Sequence, residues 1–300
     1  MRLKACNTAE VVDGHDPVNI IILSSTRELA NQITTQAKMV ASALGLNVDC
    51  ILGGTAINPQ KERLDPTIKG QFKYGGVVDI MIATPGRLME HIDSTSGFVE
   101  RIGQCKILVL DEVDQLLETG FQKNIEFIIS KLPTTRQTMC FSATVPARLK
   151  NTLGLALKED HVVIDCVGEA DVDTHDRILQ SYIVHPLEQT LLALYLTITK
   201  EMEAHPDSYK ILVFLPTARN AQFYCAVLNE LELGIEVMEI HSRRNQQQRT
   251  ATANAYREAK RAVLLSSDIS ARGVDYPMVT LIIQLGPPSS KEVYVQRLGR

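Results

Sequence analysis

Short apolar runs alternate along this chain with stretches in which apolar residues recur at helical spacing. Residues 18–23, 48–52, 79–83, 107–111, 138–141 and 161–165 are brief, strongly hydrophobic and closed by small or polar residues, the signature of strands buried on both faces. Between the first two, Glu28, Leu29, Ala30, Ile33, Ala37 and Val40 recur near helical spacing, and Gly45 is a natural stop. The scheme repeats in the second half with strands at 181–184, 210–215, 236–240, 262–265 and 279–284 and a Leu-rich helix over 187–203. Alternating strands and helices predict an α/β fold with parallel sheets. Residues 168–177 break the pattern, being acidic and poor in apolar side chains, the composition of a linker. The chain therefore reads as two domains, 1–167 and 178–300, joined by residues 168–177.

The strand over 107–110 ends in Asp111 and Glu112, with Asp114 close behind. Ligands of open parallel sheets collect at such strand ends. Two carboxylates there can divide labour, one holding a hydrated magnesium ion over a nucleotide phosphate and the other orienting or deprotonating a water. The same acids also suit the N-terminal end of a helix through Leu116 and Leu117, where they would act only as caps.

Composition changes this picture little. The 300 residues are 45% hydrophobic and 22% charged, and the formal net charge of −4 speaks against a broad basic surface but not against a narrow site built from a few arginines. Six cysteines lie scattered without a Cys-x-x-Cys pair, which argues against zinc and a disulfide framework and for a reducing, intracellular compartment. No run approaches a membrane span, and the first residues lack a signal core. No Gly-x-Gly-x-x-Gly follows a strand, which sets aside a dinucleotide-dependent oxidoreductase.

Taken in order, the loops at the strand ends resemble the DEAD-box family of ATP-dependent RNA helicases. Ser25-Thr26-Arg27-Glu28-Leu29-Ala30 is similar to motif Ia, with serine where the family usually has proline; Gly53-Gly54 and Thr84-Pro85-Gly86-Arg87 follow. Asp111-Glu112-Val113-Asp114 is the name-giving motif with valine for alanine, and Ser142-Ala143-Thr144 resembles motif III. In the second half Val213-Phe214 with Pro216-Thr217 resembles motif IV, Gln246 and Arg249 the Gln-x-x-Arg signature, and Ser267-Asp268 with 271–275 motif V. The wording around His241 and Tyr276 is similar to a subgroup with fungal mitochondrial and plant organellar members, which leaves nucleus, cytoplasm and organelle all open.

The resemblance implies two tandem RecA-like domains, ATP and Mg2+ as cofactors, and RNA held through its backbone by a monomer, with protein cofactors left open. It makes Asp111 the magnesium-side carboxylate, through water, and Glu112 the activator of the hydrolytic water. Asp275 and Gly273 would meet ATP from the second domain, Arg300 would be an arginine finger, and Arg297 would join the catalytic set. Asp114, Ser142, Thr144 and Gln296 would couple nucleotide to RNA. Arg27, Gly54, Thr84, Gly86 and Arg87 in the first domain and Gln246, Arg249, Ser267 and Asp268 in the second would contact RNA.

The family's phosphate-binding loop, ending in Gly-Lys-Thr or Gly-Lys-Ser, occurs nowhere in these residues, and the last motif stops at Arg297-Leu298-Gly299-Arg300. The expectation is a fragment of a longer reading frame, without RNA-stimulated ATPase activity of its own. Two alternatives stand beside the helicase reading: a non-catalytic RNA-binding or regulatory protein that truly lacks the loop, and a translocase on DNA.

Overall fold

A computed structural model describes residues 16–64, 77–142, 154, 156–166, 178–231, 234, 237–268 and 276–299. The chain divides into two compact units, Met1–Val163 and Ile164–Arg300. The acidic stretch read as a linker, 168–177, lies outside the described residues.

Unit 1 is built on five parallel strands, β1 (Ile20–Leu23), β2 (Val48–Ile51), β3 (Ile80–Ala83), β4 (Ile107–Leu110) and β5 (Gln137–Cys140), in the order β2-β3-β1-β4-β5. Helices α1 (Arg27–Ser42), α2 (Asn58–Leu64), α3 (Pro85–Ser94), α4 (Phe98–Ile102), α5 (Val113–Glu118) and α6 (Gln122–Ser130) fill the crossovers. Side chains alternate across each strand. Ile21, Leu23, Met81, Ala83, Leu108 and Leu110 enter one hydrophobic cluster, while Ile82 and Val48 join Ala30 and Ala41 of α1 in another. Both faces of the sheet are thus covered, and this is why its strands read as continuous apolar runs.

The register is flush: Leu23 pairs with Ala83 and Leu110, Ile51 with Ala83, and Leu110 with Cys140. Since all strands run the same way, every loop that follows one emerges on the same sheet edge. Backbone bonds extend the ladder into those loops: Ser24 N–H donates to Ala83 O at 3.0 Å, Thr84 N–H to Ile51 O at 3.3 Å and Asp111 N–H to Leu23 O at 3.0 Å.

Unit 2 repeats the plan with β6 (Tyr209–Phe214), β7 (Val237–Ile240), β8 (Arg261–Ser266) and β9 (Leu281–Gln284), all parallel and ordered β7-β8-β6-β9. Its helices are α7 (Thr190–Ala204), α8 (Ala218–Glu230), α9 (Gln246–Glu258) and α10 (Lys291–Leu298), with a 3-10 turn at Leu187–Gln189 ahead of α7. Residues of β6 and β8 alternate between two clusters, Ile211, Val213, Val263 and Leu265 in one and Leu212, Phe214, Ala262 and Leu264 in the other.

Two expected strands do not form. Residues 161–165 and 181–184 join neither sheet, and their apolar side chains face solvent: Ile164 is 80% and Tyr182 90% exposed. An apolar, β-branched run has strand propensity, but a strand exists only where a neighbour supplies its hydrogen bonds. Val40, counted on the apolar face of α1, is 66% exposed. The helix expected from Leu88 begins one turn earlier, at Pro85, because proline suits the first helical position after the extended Thr84.

Candidate functional site

The carboxylates stand at the end of β4 as the run into Asp111 implied. Asp111 accepts the N–H of Glu112 at 3.1 Å. Its carboxyl is held above the usual carboxylate range by burial, with the nearby negative charge of Asp114 adding to the effect and the Glu112 N–H opposing it. Glu112 sits in the left-handed region at φ 48, a strained position for a side-chain-bearing residue and the point from which α5 starts. The hydroxyl of Ser25, at the neighbouring end of β1, donates to Glu112 Oε2 at 3.3 Å. Serine in place of the family's usual proline thus ties the loop before Arg27 to the second carboxylate.

Asp114 is buried and accepts the N–H of Gln115 at 3.0 Å, and the Val113 N–H donates to Phe141 O at 3.0 Å, joining the acidic turn to the end of β5. Exposed Ser142 follows directly, so Asp111 and Ser142 leave the same sheet edge from adjacent strands. Thr144 lies outside the described residues. Among the described residues no three His, Cys, Asp or Glu side chains converge as a metal-ligand set. The donor set fits a hard cation that keeps its waters and takes a single carboxylate, since a partly desolvated Asp111 beside a second acid gains from added positive charge.

Three further loops on this edge meet one another. Thr26 caps α1 by accepting the Leu29 N–H at 3.2 Å, which places Arg27 in the first helical turn. Arg27 lies over Gly54: a Cβ built there would stand 2.1 Å from Arg27 Nη1, and the backbone at Gly54 has φ +78. Only glycine meets both conditions without displacing the arginine. The Gly53 N–H donates to Thr84 Oγ1 at 3.3 Å, and Arg87 Nη2 donates to Thr55 O at 2.6 Å while its Nε pairs with Glu90 at 2.9 Å. Gly86 differs, because a Cβ there would meet only the Phe121 ring, at 3.9 Å. The structure therefore brings Arg27, Gly54, Thr84, Gly86 and Arg87 together within unit 1.

In unit 2 the strand ends carry another arrangement. Arg297, on α10, is 2% exposed, donates through Nε and Nη2 to Asp268 Oδ1 at 2.9 and 2.6 Å and through Nη1 to Gln284 Oε1 at 3.3 Å, and lies 5.2 Å above the Phe214 ring. Its guanidinium is engaged within the unit, as is the side chain of Asp268. Gln246 and Arg249 occupy the first turn of α9, held by an Asn245–Gln248 capping box. Ser267 follows β8 and Gln296 sits on α10. Gly273, Asp275 and Arg300 lie outside the described residues.

The sequence reading missed Gln60 and His91, both buried behind the Gly53–Gly54 turn. A signal existed for His91, which follows Arg87 by four residues and so shares its helix face.

Both units are parallel α/β sheets, and in unit 1 the acidic pair, the glycine turn and the arginine-bearing turns all follow strand ends on one sheet edge. Residues 3–152 match the family model described as DEAD/DEAH box helicase, and residues 190–300 that described as helicase conserved C-terminal domain. The chain belongs to the DEAD/DEAH box helicase family. It is similar to DEAD-box ATP-dependent RNA helicase 26 of Oryza sativa subsp. japonica, 42% identical over 284 residues, an alignment covering 94% of this chain and 51% of that protein. DEAD-box ATP-dependent RNA helicase 31 of Arabidopsis thaliana is 40% identical over 285 residues, 95% of this chain and 38% of that one. The chain spans about half or less of the length of these curated relatives. Among solved structures, Mss116p bound to ssRNA and AMP-PNP matches with a TM-score of 0.85 at 26% identity, over 99% of this chain and 59% of that one. Dbp5 of S. cerevisiae bound to RNA and ADP BeF3 shares the fold, with a TM-score of 0.74 at 20% identity over 97% and 70% of the two chains.

Proposed function

We propose that these residues form the central part of an ATP-dependent RNA helicase of the DEAD-box type, acting as a monomer that couples ATP hydrolysis to local RNA strand separation or remodelling. The observation that supports it is the meeting, on one edge of the unit 1 sheet, of the Asp111–Glu112 pair, the arginine-bearing turns of residues 25–27 and 84–87 and the glycine turn of residues 53–55. Magnesium bound with ATP would neutralise charge on the phosphates. Asp111 would offer its carboxylate to that ion's waters. Glu112, set apart by its left-handed backbone and steadied by Ser25, would orient and deprotonate the attacking water. Arg27 and Arg87, with the N–H groups of the glycine turn, would hold phosphates and sugars, contacts that bind a strand without reading its sequence. From unit 2, Gln246, Arg249 and Ser267 would contact RNA, and Asp275, Gly273 and Arg300 would meet ATP. The engagement of Arg297 with Asp268 favours a supporting role for both within unit 2 over direct contact with phosphate.

The test has two arms. Binding of matched single-stranded RNA and DNA by the 300 residues, followed by fluorescence anisotropy over a salt series, is expected to favour RNA and to weaken as salt rises. Preference for DNA would support the translocase alternative. Phosphate release is then measured on these residues alone and on a chain in which a Gly-x-Gly-Lys-Thr loop precedes them. Activity is expected only in the second, with Glu112→Gln removing at least ~10²-fold of it while RNA affinity stays unchanged. Silence in both, with RNA binding intact, would favour a non-catalytic binding protein.

A further inference from the structure

The turn that presents Gly54 beneath Arg27 is exposed, yet a line of buried polar side chains ends on it. Gln60, on α2, is 6% exposed and His91, on α3, is fully buried. The Gln60 amide nitrogen donates to Leu52 O at 3.1 Å and to Thr55 Oγ1 at 2.8 Å. A backbone carbonyl only accepts, so the nitrogen of the amide must face the turn and its oxygen must face inward. That oxygen lies 3.3 Å from His91 Nε2, and His91 Nδ1 lies 2.8 Å from Thr95 Oγ1. The imidazole therefore carries its proton on Nε2 and accepts the Thr95 hydroxyl on Nδ1. The Thr55 hydroxyl in turn donates to Leu52 O at 3.2 Å. Donors point the same way from Thr95 through His91 and Gln60 to the turn.

Helix α3 consequently grips the turn twice. Arg87 holds Thr55 O directly, and His91, one helical turn later, holds Leu52 O and Thr55 Oγ1 through Gln60. We propose that Gln60 and His91 are positioning residues that set the backbone of residues 52–55, and with it the stance of Arg27 and Arg87 toward a bound RNA backbone. The proposal rests on the RNA-binding reading above. A buried amide and imidazole that served only the core would have apolar replacements of equal shape, since buried polar groups add little net stability even when satisfied. Here the polarity terminates on the carbonyl and hydroxyl of a surface loop. Burial, reinforced by the positive charges of Arg87, Lys61 and Arg63, lowers the His91 pKa to about 4 and keeps the ring neutral at ordinary pH, as the donor order requires.

The experiment uses the 300-residue chain and a labelled oligouridylate, with affinity measured over a salt series for wild type, Arg27→Ala, Gln60→Leu and Thr55→Val. Gln60→Leu is expected to weaken binding ~10-fold and to lower the magnitude of the log K against log salt slope by roughly 0.7, the value of one lost single-strand phosphate contact, although no charge has been removed. Thr55→Val, at an exposed site that leaves the core untouched, is expected to weaken binding about threefold by loosening the same hydrogen bonds. Nitrogen-15 imidazole shifts should show His91 as the neutral Nε2–H tautomer in wild type. If Gln60→Leu and Thr55→Val both keep wild-type affinity and slope while Arg27→Ala loses them, the positioning role is overturned. If Gln60→Leu fails to fold, Thr55→Val decides alone. If Arg27→Ala binds as wild type does, or wild type does not bind, the RNA-binding reading falls and this proposal falls with it. An Nδ1–H tautomer would overturn the donor order independently of RNA.

Discussion

The two units present the same architecture and use their strand ends differently. In unit 1 the charged groups remain at the sheet edge: Arg27 lies over a glycine turn, Arg87 holds a surface carbonyl, and Asp111 and Glu112 stand at the end of β4. In unit 2 an arginine is drawn inward, since Arg297 closes on Asp268, Gln284 and the Phe214 ring. The difference lies in what each arginine engages rather than in burial alone, for Arg87 is itself only 6% exposed and holds a backbone carbonyl, whereas Arg297 closes on a carboxylate. Arg297, at 2% exposure, holds Asp268 just after β8; Arg27 is only partly buried and lies over Gly54.

The largest expected effect tests the inward arginine. Removing one partner of a buried ion pair strands the other, at a cost of about 3–5 kcal/mol when both are buried. The Asp268 side chain is 41% exposed, so Arg297→Met should lower the stability of unit 2 by about 2 kcal/mol, read from urea unfolding, and leave unit 1 unchanged. An unchanged unit 2 would remove the contrast between the units. Next comes Gly54→Ala in unit 1. Left-handed backbone costs a residue with a Cβ about 1 kcal/mol, and the methyl would push Arg27 aside, so RNA affinity should fall by roughly tenfold, about 1.4 kcal/mol. A loss of stability without a loss of affinity would make Arg27 incidental to RNA.

The pH dependence is a separate handle and belongs to unit 1. Unfolded, His91 takes a proton near its ordinary 6.5; folded, it does so only near 4. Between those values the unfolded chain binds a proton that the folded chain refuses, so the His91 contribution is full above pH 6.5 and is lost as pH falls toward 4. Asp111, raised by burial, has the opposite sign, since its folded form keeps a proton that the unfolded form releases. Subtracting the profile of His91→Gln from that of wild type should isolate the histidine, and parallel profiles would contradict its buried neutral state. The smallest effect is at Gly86, where a Cβ meets only ordinary contact with Phe121. Gly86→Ala should change unit 1 stability by no more than about 1 kcal/mol, in the stabilising direction for a helix turn. Any fall in RNA affinity in that variant would report a direct approach of the strand to the backbone there.

Much of the molecule could be read from its residues alone. The apolar runs at 18–23, 79–83, 107–111 and 210–215 marked the inner strands β1, β3, β4 and β6 because burial on both faces leaves no room for polar alternation. Strand ends carrying Asp111, Thr84 and Gly54 marked the site, because a parallel sheet delivers all such ends to one edge. Local sequence could not decide pairing. Residues 161–165 and 181–184 have strand composition but lack ladder partners among the described strands, and hydrogen-bond partners lie far along the chain. Nor could it decide whether Arg297 faces a ligand or Asp268, 29 positions away, or that Gln60 and His91, 31 apart, share a hydrogen bond. Period and composition report which face of an element is buried. Which side chains meet across elements is fixed only when the helices settle on the sheet, and there the tertiary structure determined what the arginines, the glycine turn and the buried histidine touch.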